Sequence, residues 1–261
     1  MKKLSRFQIP LAGVLCALVV TIGISQLTVA AQKKEARVTQ VIKDVRLLPS
    51  NTSPRPASLN DLIASGTAVR TGVDSRAEVT FADQSLTRLG ANSVFSFSED
   101  GKQLDLGSGA ILVAVPKSSG EVKIKTAAAT AAVTGFTMMY EFHPKGVSKV
   151  MLLDGHLALR IKGLPDKCNL DGGHMFVIPP HPTTCPKVLT FDVGKVLRTA
   201  KLITQKPLPK WALDPIYGVI EDQKNSPPPE GFIDPTSIET LDQAGNAMPT
   251  PPPVRTLPPS F

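Results

Sequence analysis

Cys168, His174, His181 and Cys185 are the residues of this 261-residue chain whose types and spacing point most directly to chemistry. Two thiols flanking two imidazoles have two uses. In an oxidising compartment the thiols join as a disulfide; in a reducing one, thiolates and imidazoles can hold zinc. The spacing fits no compact structural-zinc pattern, so the bridge is the default reading and no metal is expected. It would close a loop from Asn169 to Thr184 and stabilise by about 3 kcal/mol through the denatured state. The other histidines, His143 and His156, read as ordinary surface residues. Asp154-Gly155-His156 sets an acid near an imidazole, but in the composition of a turn. With no serine elbow, no phosphate-binding glycine loop and no HExxH, no catalytic residue and no cofactor are expected, and the chain reads as a non-enzyme.

The amino terminus decides which compartment applies. Lys2, Lys3 and Arg6 precede an uncharged, mostly apolar run from Ile9 to Val29, which ends in Thr28-Val29-Ala30-Ala31-Gln32. This is the pattern of a secretory signal peptide over residues 1–31, cut after Ala30 or Ala31. The competing reading is an uncleaved anchor, since about 20 apolar residues span a bilayer. Cleavage makes the protein periplasmic or secreted; retention anchors it in the inner membrane, facing the periplasm. Both put the rest of the chain outside the cytoplasm. Cys16 lies in the leader, which leaves Cys168 and Cys185 to pair. Taking the three leader cations from the formal +7 leaves +4, scattered along the chain and densest at Lys33, Lys34 and Arg37. Nucleic acid is therefore not an expected partner, and 5% aromatic content is low for a base-stacking surface. Membrane contact is expected only through the amino-terminal segment, if uncleaved.

Short strands must position everything between Thr39 and Ile178. Ala77, Val79 and Phe81 alternate with Glu78 and Thr80, the period-two pattern of a half-buried strand, and Leu86, Arg88 and Leu89 continue it beyond a polar turn. Phe95 and Phe97 alternate with serines, and Leu104 and Leu106 with Gln103 and Asp105. Ala110 to Val115 is a continuous apolar run, which predicts a strand buried on both faces. Val122 and Ile124 alternate with Glu121, Lys123 and Lys125; Met138, Tyr140 and Phe142 form one face of a further strand, and Leu157, Leu159 and Ile161 one face of another. The alanine-rich stretch 127–132 is too short for an isolated helix and reads as a tightly packed strand or loop. The expectation is an all-β fold, an antiparallel sandwich or roll, occupying residues 39–188.

A helical extension is expected over residues 189–223. Phe191, Val193, Val196, Leu197, Ala200 and Leu202 mark an amphipathic helix from about Thr190 to Thr204, ended by Pro207 and Pro209, with a second short helix from Pro215 to Gln223. Trp211, the only tryptophan, reads as a packing anchor. Thirteen of the 24 prolines lie between Pro207 and Pro259, and residues 224–261 read as a solvated, disordered Pro-rich tail.

The turns and strands together resemble a known family. Gly66-Thr67-Ala68-Val69-Arg70-Thr71-Gly72, Ser75 to Ser85 with its Asp83-Gln84-Ser85 turn, and Arg88-Leu89-Gly90-Ala91-Asn92-Ser93 are similar to the opening of the FecR-type periplasmic domain. Leu106 to Ala110 with Gly109, Val122 to Thr126, Ala132-Val133-Thr134-Gly135 and Val150 to Asp154-Gly155 follow in the family's order. The resemblance covers roughly Gly66 to Ile161. It implies a β-domain whose turns rest on Gly66, Gly72, Asp83, Gly90, Gly109, Gly135, Asp154 and Gly155. Two positions depart from it: Gln84 stands where glycine is usual, so that turn must differ in type or tolerate strain, and Phe136 stands where threonine usually follows Gly135.

The family's best-known members look like transmembrane sensors with a cytoplasmic segment that restrains a sigma factor. Only eight residues precede the apolar run here, so that role is not carried over. The expected function is an exported binding or scaffold module of the bacterial envelope, contacting an envelope protein or a surface polymer. The second reading is an extracytoplasmic signal-sensing component that acts through a partner protein.

Overall fold

The computed structural model describes residues 35–235, all within the contact unit that spans Lys33–Phe261. Residues 1–34, which include Cys16 and the segment expected as a leader, and residues 236–261 of the expected tail lie outside the described residues. The chain is all-β at its centre, with helices added at its carboxy-terminal end. No helix of the described residues is long and apolar enough to cross a membrane.

Two sheets share one long strand. An inner sheet runs β4 (Leu62–Ile63), β1 (Ala36–Ile42), β6 (Arg76–Phe81), β7 (Leu86–Leu89), the second half of β9 (Gln103–Val115), β12 (Phe136–Phe142), β13 (Ser148–Asp154), β16 (His174–Ile178) and β17 (Leu189–Thr190). An outer sheet runs β3 (Arg55–Pro56), β2 (Val45–Leu48), β5 (Ala68–Thr71), β8 (Val94–Phe97), the first half of β9, β10 (Glu121–Lys125), β11 (Ala129–Thr134), β14 (His156–Ile161) and β15 (Lys167–Asp171). Every pairing is antiparallel except β9 with β10. The chain passes repeatedly from one sheet to the other, and the alternate residues of both sheets meet in one core that includes Phe95, Phe97, Ile111, Val113, Tyr140, Leu159 and Phe176. The alanine-rich stretch contributes β11, where Ala129 and Ala131 are buried.

A third layer lies on the far face of the inner sheet. It comprises α1 (Val193–Thr199), α2 (Lys201–Thr204) and α3 (Lys210–Asn225). Leu112 and Ala114 of β9, with Met151, Leu153, Met175 and Val177, face this layer and pack with Val196, Leu202, Ala212 and Ile216. Residues 111–115 of the apolar run are thus covered on both faces, as their composition predicts, and Ala110 is half-buried. The single amphipathic helix expected from about Thr190 to Thr204 is two helices, because Ala200 is extended, with φ −69° and ψ 118°. The Asp192 side chain caps α1 by accepting from the Lys195 N–H at 2.7 Å. α3 begins five residues ahead of the expected start and keeps Pro215 inside. A proline there has no N–H to donate to Trp211 O, which costs one intrahelical bond, and the burial of Ala212 and Ile216 offsets it. Trp211 packs partly buried against the same layer. Residues 226–235, whose composition reads as the start of a solvated tail, are held by the Ile233 N–H bond to Thr190 O at 2.9 Å and a parallel bridge between Phe191 and Ile233.

Candidate functional site

Six of the eight turn residues expected from the sequence gather at or beside two corners where strands cross between the sheets. At one, Gly72, Gly90 and Gly109 converge: Asn92 N–H donates to Gly72 O at 3.1 Å, Gly90 N–H to Ala110 O at 2.7 Å, and the Thr71 hydroxyl to Gly90 O at 2.6 Å. At the other, Gly135 joins β11 to β12 and Gly155 joins β13 to β14. Gly155 has φ +103°, and a Cβ on it would lie 3.0 Å from both Gly135 O and Phe136 Cβ. Only glycine fits where two chain reversals touch. Gly66 and Asp83 stand apart from both corners, in separate turns. Gln84 adopts φ +68°, so its turn keeps the geometry that glycine usually supplies, braced by the Ser85 N–H and hydroxyl on the Asp83 carboxylate. Phe136 is buried core.

Asp154, beside the second corner, is an expected turn residue whose acid is perturbed. Burial pushes its carboxyl up, against the opposing pull of Lys117 and the Gly155 N–H. It stands between clefts of about 580 and 440 Å³ beneath α3. Neither holds a nucleophile with a positioned base. The Tyr140 hydroxyl, pushed up to about 12 by burial, is satisfied by Thr126 Oγ1 at 3.1 Å.

Cys168 and Cys185 are joined in a disulfide that ties β15 to the segment following β16. Of the histidines between them, His174 has its Nδ1 3.1 Å from Gly172 O. Among the described residues no group of three or more His, Cys, Asp or Glu could hold a metal. His143 and His156 are exposed, as expected, but each has an acidic neighbour: His143 Nε2 is 2.8 Å from Glu141 Oε1, and His156 Nδ1 is 2.7 Å from Asp171 Oδ1 across the β14–β15 pair.

A buried ion cluster on the inner sheet was not foreseeable from alternation. Glu78 and Arg88 are cross-strand neighbours on β6 and β7, and the alternation of β6 puts Glu78 on the polar half of a half-buried pattern. Instead their side chains are both 3% exposed, because the carboxy-terminal layer covers them. Arg88 donates Nε–H to Glu78 Oε2 at 2.8 Å, Nη1–H to Leu202 O at 2.8 Å, and Nη2–H to Pro207 O at 3.1 Å. It thereby satisfies orphan carbonyls at and beyond the end of α2. Glu78 Oε1 accepts from Lys206 Nζ at 2.5 Å and Thr39 Oγ1 at 2.7 Å. Burial raises the Glu78 carboxyl, but hydrogen bonds from Lys206, Thr39 and Arg88 bring it below its ordinary value. This cluster latches the carboxy-terminal segment onto the roll.

The outer face of the outer sheet carries the opposite arrangement. Lys125, Thr130, Arg160 and Lys167 are register partners across β10, β11, β14 and β15, and Lys123, Ala132, Ala158 and Asn169 form the adjacent row. Arg160 therefore faces Lys167 directly, and at the sheet's other end Arg46 faces Arg70. Like charges opposite one another destabilise a pair of strands. Arg70, Lys125, Arg160 and Lys167 make no ion pair or side-chain hydrogen bond among the described residues. The centre, at Thr130, Ala132 and Ala158, is small enough for a partner to approach closely.

Residues 67–158 match the family described as FecR protein. The match begins one residue after Gly66, takes in both corners and ends before the disulfide and the helical layer. Two crystal structures of a proposed anti-sigma factor from Parabacteroides distasonis ATCC 8503, at 2.50 and 1.65 Å resolution, are similar to the chain at 13% identity and a TM-score of 0.42 each. The first likeness covers 51% of this chain and 64% of the other, the second 58% and 74%. The chain thus spans about two thirds of the length of the first, and at that TM-score the likeness carries neither fold nor function across. No curated protein matches the chain.

Proposed function

We propose that this chain, which carries a FecR domain at residues 67–158, works outside the cytoplasm as a non-catalytic binding module of the bacterial envelope. The observation that carries the reading is the unequal treatment of its two sheets. The inner sheet is largely covered by chain of its own, whereas the outer sheet leaves an exposed face on which Lys125, Arg160 and Lys167 make no ion pair among the described residues, with Asp105, Glu121 and Asp171 on the same face. Such a face suits an envelope protein or surface polymer bearing negative charge. The Cys168–Cys185 bridge supports an oxidising, extracytoplasmic location.

A second reading is favoured by the family match: an extracytoplasmic signal-sensing component that acts through a partner protein. Both are tested by photo-crosslinking in intact cells from Lys125 and Arg160, with exposed Tyr217 of α3 as the reference position. The binding module predicts capture of an envelope component from the sheet positions and little from Tyr217. Capture of an outer-membrane receptor, with an altered transcriptional response on deletion, selects the signalling reading. Recovery of a cytoplasmic sigma factor alone, or a hydrolytic turnover by the purified protein, overturns both.

A further inference from the structure

The layer between the inner sheet and the helices is not filled throughout. Gly90, Ala91 and Ala110 place small residues where larger side chains would close the packing, and a groove of about 380 Å³ remains beside α1 and α2. Its walls are apolar: Met139 and Met151 from the sheet, Val196 and Leu202 from the helices. Its rim is cationic. Lys149 donates to Pro235 O at 2.7 Å and pairs with Glu141 at 3.1 Å, and Lys195 pairs with Asp234 at 2.6 Å. Arg76 and Lys201 make no ion pair or side-chain hydrogen bond among the described residues. Four cations thus surround an apolar space, with Asp234 the one acid in its lining among the described residues.

The geometry points to a binding site for a single-chain anionic amphiphile, its head between Arg76 and Lys201 and its chain along Met139 and Met151. A cavity of this size lies within the range of small-molecule sites. At about 30 Å³ for each water-sized group it holds a chain of roughly ten to twelve non-hydrogen atoms. Methionine walls suit such a chain, because the unbranched thioether adapts to an irregular occupant. The unpaired cations select the charge on its head. The site is separate from the open face of the outer sheet and does not depend on it.

Calorimetric titration of the full chain with decanoate tests this, with butyrate as the head without the chain and decyl maltoside as the chain without the charge. Saturable one-to-one binding of decanoate below about 1 mM is expected, with both controls at least about tenfold weaker. Arg76→Glu with Lys201→Glu should weaken decanoate binding by about tenfold or more while leaving the unfolding midpoint nearly unchanged, since both side chains lie at the rim. Met139→Trp, at a partly exposed wall, should block the chain and abolish binding. No saturable binding, equal binding of either control, or undiminished affinity in the folded double variant would overturn the assignment.

Discussion

The strands β6 and β10 have nearly the same written pattern and opposite fates. In β10 the alternation is what it looks like: Val122 and Ile124 face the core, and Glu121, Lys123 and Lys125 face water. In β6, Ala77, Val79 and Phe81 face the core, but Glu78 on the other side is as buried as they are. The difference lies more than a hundred residues away, in the segment that Arg88 and Glu78 hold down. Alternation reports which residues face the shared core. It does not report whether the opposite face meets solvent, and a charge left on a covered face survives only with its partners in place.

The strongest way to break this contrast is at the latch. Arg88→Ala should destabilise by roughly 3–5 kcal/mol, because it leaves Glu78 buried and the α2 carbonyls unpaired; the readout is a denaturant midpoint. Lys125→Ala on the open sheet should lie within about 0.5 kcal/mol of the parent. Replacing Cys168 and Cys185 together with alanine should cost about 3 kcal/mol, measured in the same titration against the parent with and without reductant. That loss would come from the edge of the open sheet, whose polar face has no covering layer to support it. Gly155→Ala, at the corner joining the sheets, should cost roughly 1–3 kcal/mol from its positive φ and its contacts with Gly135 and Phe136. Gly163→Ala, with φ +92° but nothing within 4 Å, should cost less.

Acid distinguishes the covered face further. The Glu78 carboxyl is depressed in the fold, so its contribution is complete above the unfolded carboxylate value and is lost as pH falls through the folded one. Asp154 is raised and acts in the opposite sense: its contribution is present below the unfolded value and is lost as pH rises through the folded one. Midpoints measured from pH 7 downward should therefore fall in the acid range, less steeply in Glu78→Gln and more steeply in Asp154→Asn. The smallest expected effect is on the open face. Arg160→Glu turns a like-charge pair with Lys167 into an opposite one and should stabilise by about 0.2–1 kcal/mol, an increment that salt reduces.

Much of the core was legible because it is local. The strand periods, the doubly buried residues 111–115, the tight packing of the alanine-rich stretch and the disulfide partners need only nearest-neighbour chemistry or a count of cysteines. The sequence names the turn residues one by one, and it cannot show two corners, since Gly135 and Gly155 meet only when two chain reversals are stacked. Gln84 shows the limit of the family pattern: its positive φ is held by Asp83 and Ser85, which sequence alone cannot weigh against strain. The start of α3 was misplaced because Pro215 reads as a boundary, whereas packing by Ala212 and Ile216 carries the helix through it.

Sequence by itself determined the all-β class, the residues that face the shared core and the pairing of Cys168 with Cys185, because hydrophobic period and composition are properties of short windows. Tertiary structure alone decided that Glu78 and Arg88 form a buried latch, that Lys125, Arg160 and Lys167 share an open row, and that small residues leave a cation-rimmed groove. Each of these depends on which distant segment arrives on a given face. Coverage of the second face is a long-range contact, and no local pattern encodes it.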